Sequence, residues 1–208
     1  MSVLSKAGSG FAILAASALV LSGCAAADDE AATTTEDDTT SAAVESLALK
    51  IGTALPVTGN LAFLGPPEEA GVLLAQADVN AADAGIDLEV VLGDSGDTDN
   101  KAYETEIPRL LNEDVSAIVG AASSGVSFQF IDQVTKEAGV IQISPANTSP
   151  NFTDYDDDGL YFRTAPSDVL QGEVLGNLLA ADGHETVAMI VINDAYGTGL
   201  RDNATLAF

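Results

Sequence analysis

Residues 117–144 read AIVGAASSGVSFQFIDQVTKEAGVIQIS, and this stretch decides the fold. Ala117-Ile118-Val119-Gly120 is short and apolar, as a buried strand ending at a small residue would be. Ser123-Ser124-Gly125 then opens a helix whose Val126, Phe130, Val134 and Ala138 make one apolar stripe. Gly139 punctuates it, and residues 140–144 are again apolar and extended. Strand, helix and strand in so short a span make a right-handed crossover unit with two parallel strands.

The alternation extends both ways. Upstream, residues 47–55 form a first strand, and Pro66 and Pro67 stand where a helix starts, with Glu68 and Glu69 in its positive first turn. That helix continues to Asn80; residues 87–92 are a second strand and 98–112 a second helix, in which Pro108 predicts a kink or an early stop. Downstream, residues 160–164 are extended. Asp168, with Gln171 at capping-box spacing, starts a helix to about residue 181 that feeds a strand over 186–192. Ala195-Tyr196-Gly197 then turns into a helix that has barely begun at Phe208, so the chain reads as cut short. The expected fold class is α/β, a parallel sheet flanked by helices.

The chain has 208 residues, 47% of them hydrophobic, enough to bury a core. Its 32 acidic residues against 7 basic ones give a net charge of −25, which excludes a nucleic-acid partner and disfavours a peripheral anchor on anionic lipid. One Cys permits neither an internal disulfide nor a Cys-based metal cluster, and His184 is the only imidazole.

Residues 1–23 read as an export signal: Lys6, then a largely apolar stretch over 11–21 that is too short to span a hydrocarbon core of ~30 Å. Leu21-Ser22-Gly23-Cys24 resembles a bacterial lipobox, in which Cys24 is lipidated and becomes the new N-terminus; an ordinary secretory signal with an incidental Cys is the alternative. Acyl chains on Cys24 would hold the protein at the membrane without a basic patch. Residues 24–46 form an acidic low-complexity tether whose seven acids keep it extended.

In a parallel α/β sheet, ligands bind at the carboxyl ends of the strands. Three loops there have unusual composition. Residues 58–65 place Phe63 and Leu64 between two glycines, suited to an apolar side-chain pocket. Ser123, Ser124 and Ser127 sit at a helix start, where free backbone N–H groups and hydroxyls favour an anion. Ser144-Pro145-Ala146-Asn147-Thr148-Ser149-Pro150 is fixed by two prolines and presents Asn147 and Thr148 beside the second loop. Beyond residue 23 only Lys50, Lys101, Arg109, Lys136, Arg163 and Arg201 are basic, so an anionic group must be held largely by dipoles.

The order of Leu49-Lys50-Ile51-Gly52, Pro56-x-Thr58-Gly59, Ser123-Ser124-Gly125-Val126-Ser127, Ile143-Ser144-Pro145, Thr148-Ser149-Pro150, Phe162-Arg163-Thr164, Asp168-x-x-Gln171-Gly172 and Asp194-x-Tyr196-Gly197 resembles the branched-chain amino-acid type of periplasmic binding protein. The resemblance covers the chain from about Leu47 to Phe208. It implies a type I fold of two α/β lobes closing by a hinge over a ligand: an incomplete lobe 1 over 47–165 and the beginning of lobe 2 over 166–208. The implied function is that of an exported solute-binding lipoprotein, held by Cys24 on the outer face of the cytoplasmic membrane. It would capture a branched-chain or related amino acid, or a small amide, for the permease and ATPase of an ABC importer. By motif, the ligand's carboxylate and ammonium would meet Ser124, or Ser123 if the loop is offset by one, together with Asn147 and Thr148. Ser127 is a further candidate, Tyr196 is the aromatic of lobe 2, and Leu64, with Phe63 beside it, would face the ligand side chain. The chain alone is expected to bind no amino acid tightly.

Other readings carry less. Asp154-x-Asp156-x-Asp158-Gly159 matches half of an EF-hand loop, but Ala165 stands where the bidentate Glu belongs, which favours a solvated acidic loop. Gly197-Thr198-Gly199 lacks the third glycine of a dinucleotide fingerprint, and no cofactor is expected. A serine hydrolase would need Gly-x-Ser-x-Gly, which Gly120-Ala121-Ala122-Ser123-Ser124-Gly125 does not supply, and His184 reads as a turn residue. A sensor module of the same fold is the remaining alternative.

Overall fold

In a computed structural model of the protein, residues 46–208 are described; the signal segment 1–23, Cys24 and nearly all of the tether lie outside them. β1 (Leu47–Ala54), β2 (Ile86–Val91), β3 (Ala117–Gly120), β4 (Ile141–Ser144) and β5 (Tyr161–Arg163) form one sheet in the order β2-β1-β3-β4-β5. Every pairing is parallel, with β1 joined to both β2 and β3. The chain winds outward in one direction from β1 to β2 and in the other from β1 to β3. The β1 and β3 ends therefore flank a topological switch point, where a crevice opens.

α1 (Gly65–Ala81) begins with the two prolines in its first turn, where their missing N–H groups cost nothing. α2 (Tyr103–Asn112) starts five residues later than the pattern predicts. The Asp97 carboxylate accepts from the backbone N–H of Asp99 and of Asn100 at 2.9 Å, and Lys101 has φ 54°, so a side-chain-locked turn replaces the first helical turn. Pro108 does not stop α2, which runs on to Asn112 and buries Tyr103, Ile107 and Leu110.

The helix after β3 departs from a regular stripe. α3 (Ser124–Phe130) passes through a π-helical segment, Ile131–Thr135, into the short α4 (Lys136–Ala138). The wider turn rotates the buried face: Val126, Phe130 and Val134 stay buried, Ile131 and Thr135 join them, and Ala138 becomes exposed. Gly139 closes the run in the left-handed conformation, φ 68°. Val126, Phe130, Val134, Ile107, Leu110 and Ile118 form the main core. A second cluster stacks Phe128 on Phe152 and Phe152 on Tyr161, at ring separations of 4.2 and 4.7 Å.

α5 (Asp168–Ala181) has the expected limits, but its cap is Ser167, whose hydroxyl accepts from the Val169 N–H at 3.3 Å, rather than a box between Asp168 and Gln171. It pairs with α6 (Ala195–Ala207) through Gly172 and Gly176, which lie against the Asn203 side chain and the backbone of Ala204. The predicted strand over 186–192 is a correction. No ladder forms there, and Ile190 and Ile192 are 103% and 59% exposed, because among the described residues no strand lies beside it.

Candidate functional site

A cavity of about 400 Å³ lies at the switch point. The β1 loop contributes Leu61, Phe63 and Leu64; the β3 loop contributes Ala122, Ser123 and Ser124; the β4 loop contributes Ala146 and Thr148. Gln171 of α5 and the Ile192, Asp194 and Tyr196 segment complete the wall. Six of the eight sequence-predicted contact positions thus meet in one cavity: Phe63, Leu64, Ser123, Ser124, Thr148 and Tyr196.

Ser127 and Asn147 stand behind the wall. Ser127 is fully buried and its hydroxyl makes two 3.1 Å bonds to Ala121, accepting from the N–H and donating to the carbonyl. Asn147 is equally buried: its amide donates to the Ala122 carbonyl at 2.8 Å, and its Oδ1 accepts from the Tyr161 hydroxyl at 2.8 Å. Both sets of bonds shape the β3 loop from within. Asn147 lies in a loop, where no period separates inward polar residues from outward ones, and Ser127, in the first turn of α3, is turned inward by its bonds to Ala121.

Leu61, Gln171, Ile192 and Asp194 were not read as contacts from sequence; the Asp194-x-Tyr196-Gly197 motif was the available signal. Asp194 caps α6 by accepting from the Gly197 N–H at 2.8 Å. Gly197 is obligatory there, since a Cβ would strike the Ile192 carbonyl. The cap thereby aims the first turn of α6, with Tyr196, at the cavity.

The β1 loop is held by a polar lattice. The Asp94 carboxylate accepts from the Val57 N–H at 2.9 Å and from the Thr58 N–H and hydroxyl at 3.2 and 2.5 Å. Asp97 accepts from the Asn60 N–H at 2.5 Å. Burial opposes ionisation of both carboxyls, but these donors outweigh it and hold both below the ordinary Asp value.

The hydroxyls differ in their commitments. Ser123 occupies the cap position of α3 yet makes no capping bond with its side chain, leaving it to the cavity. Ser124 Oγ accepts from the Ser149 N–H at 3.4 Å, which leaves its hydrogen available. Thr148 donates to Asp168 at 2.8 Å. Among the described residues no Lys or Arg lines the cavity: Lys50, Lys101, Arg109, Lys136 and Arg201 are in ion pairs, and Arg163 donates to the Ser149 carbonyl at 2.7 Å. Among the described residues no group of three or more His, Cys, Asp or Glu could hold a metal ion, and Asp156 of the acidic loop is paired with Lys136 at 2.8 Å.

An α/β sheet with a ligand-sized crevice at its switch point is a ligand-binding architecture that serves many functions; the chain belongs to the periplasmic binding protein family, whose family model matches residues 48–208. It is 33% identical over 155 residues to the leucine-, isoleucine-, valine-, threonine- and alanine-binding protein of Pseudomonas aeruginosa, covering 73% of this chain and 41% of that protein. A substrate-binding protein of an ABC transporter from Desulfitobacterium hafniense, solved in complex with Leu, superposes with TM-score 0.62 at 28% identity, over 77% of this chain and 47% of that one. The branched-chain amino acid transporter substrate-binding protein of Streptococcus pneumoniae, solved with isoleucine, gives TM-score 0.64 at 25% identity, over 78% and 47%. The chain thus spans less than half the length of these relatives.

Proposed function

We propose that the chain is the ligand-capturing part of an extracytoplasmic receptor for a neutral amino acid, serving an ABC importer. The observation that carries this is the cavity's chemistry: hydroxyls, apolar side chains, the Gln171 amide and the Asp194 carboxylate, with no cationic residue among the described residues. A bare carboxylate would enter without a counter-charge, whereas a zwitterion brings its own. Ser123 and Ser124 offer donors to the carboxylate, Thr148 an acceptor to the ammonium, and Leu61, Leu64, Phe63 and Tyr196 surround an aliphatic side chain. In this reading Ser127 and Asn147 shape the loops, lobe 1 is residues 47–165, lobe 2 begins at 166, and a permease with its ATPase takes the ligand onward. Cys24 carries the lipid that holds the receptor on the outer face of the cytoplasmic membrane, and the chain performs no catalysis.

Two-dimensional NMR of the full chain during titration with L-leucine to millimolar concentration tests this. Shifts should concentrate at the amides of Ser123, Ser124, Thr148 and Tyr196. No shift at these four with L-leucine, L-valine or L-alanine would overturn it.

A further inference from the structure

Thr148 borders the cavity, but its hydroxyl hydrogen is already engaged. Its Oγ1 lies 2.8 Å from Oδ2 of Asp168, in the first turn of α5, and an ionised carboxylate can only accept. The backbone closes the pair from the other side, where the Asp168 N–H donates to the Thr148 carbonyl at 2.8 Å. Asp168 is fully buried and takes no part in the cavity wall. Its Oδ1 has no hydrogen-bond partner among the described residues. Stability alone does not explain such a group: a buried carboxylate with one oxygen unmatched is costly, and Ser167 already caps the helix.

We propose that Asp168 is a positioning residue that fixes the sense of the Thr148 hydroxyl, turning the Oγ1 lone pairs to the cavity so that the site selects ligands presenting an N–H donor there. Ser124 is committed the opposite way: it accepts from the Ser149 N–H and keeps its hydrogen for the ligand. The two hydroxyls give the cavity a donor side and an acceptor side, and the acceptor side is set by a carboxylate the ligand never touches. The class selected is an ammonium or a primary amide, and simple carboxylic acids are disfavoured. The inference rests on the amino-acid reading of the cavity.

The test compares three ligands by saturation-transfer NMR on the full chain: L-leucine, 3-methylbutylamine, which lacks its carboxylate, and 4-methylpentanoate, which lacks its ammonium. In Asp168→Ala the Thr148 hydroxyl rotates freely. Dissociation constants for leucine and the amine should rise about tenfold, while that for 4-methylpentanoate stays the same or falls. Equal weakening of all three would mean a merely structural role and overturn the proposal, as would no change. A wild-type chain that binds none of them overturns the amino-acid reading and this inference together. A ligand-free measurement separates the two. Burial already holds the Asp168 carboxyl above its ordinary value, opposed by the Thr148 hydroxyl and by Arg163 on β5, so in Thr148→Val its ¹³C titration midpoint should move further up, because the hydroxyl donor is lost while Arg163 remains. An unmoved midpoint overturns the pairing whatever binds.

Discussion

Tyr161 on β5 gives its phenolic hydrogen to Oδ1 of Asn147 at 2.8 Å, and Asn147 gives an amide hydrogen to the Ala122 carbonyl at the same distance. This relay ties β5 to both hydroxyl-bearing loops of the cavity. Burial pushes the phenol far above its ordinary range, so Tyr161 remains a donor at any physiological pH. Tyr161→Phe leaves a buried acceptor unmatched and should cost about 1–3 kcal/mol. Urea denaturation measures it, and an unchanged midpoint would show that the relay contributes nothing.

Ser123 predicts the reverse combination. A capping Ser replaced by Ala ordinarily costs ~1 kcal/mol, but the Ser123 side chain makes no capping bond. Ser123→Ala should therefore shift stability by less than about 0.5 kcal/mol while weakening the NMR response to L-leucine. A large loss of stability would return Ser123 to an ordinary cap.

Acid should release the β1 loop. Asp94 has a folded pKa below its unfolded one, because burial, which raises it, is outweighed by donors from Thr58, Gly96 and Val57. Its stabilisation is then complete above the unfolded value of about 4 and is lost as pH falls through the folded value. Hydrogen-exchange protection over residues 57–64 should fall below about pH 4. Asp94→Ala should show the same loss at pH 7; unaltered protection in that variant would count against the lattice.

Two glycines in helices should respond oppositely to substitution. A Cβ on Gly176 would lie 2.6 Å from the Ala204 carbonyl and 2.7 Å from the Ala207 side chain, whereas one on Gly71 of α1 meets nothing within 4 Å. Gly176→Val should lower stability by about 2 kcal/mol or more through the α5–α6 contact, and Gly71→Ala should raise it by up to ~1 kcal/mol. Thermal melts followed by circular dichroism distinguish them, and a neutral Gly176→Val would show that the two helices can part without loss.

The sheet was legible because its strands read as short apolar runs between helical patterns, and α5 because polar start signals precede a long run of helix-forming residues, although Ser167 and not the Asp168–Gln171 pair supplies the cap. The π-helical segment was not: nothing in IDQVT marks an extra residue in a turn, and it moved Ala138 out of the stripe. α2 began late because Asp97 satisfied backbone donors that a helix would have used. At the site, composition singled out the three loops, but whether Ser127 or Asn147 faced in or out depended on Ala121 and Ala122 carbonyls in a loop distant from Asn147 in sequence. Asp168 shows the same limit, since its partner lies twenty residues earlier.

The segment over 186–192, TVAMIVI, which pairs with no strand among the described residues, bears on how copies of this chain behave in company. Its bare backbone edge and outward isoleucines are a template on which a neighbouring molecule could add a strand and begin a fibril. The net charge of −25 acts against this as a colloidal guard, since two approaching molecules repel before their edges meet. That guard has a range set by salt, ~30 Å at 0.01 M and ~3 Å at 1 M. The chain should therefore stay dispersed in dilute buffer and self-associate as salt is added, a dependence that light scattering would read directly.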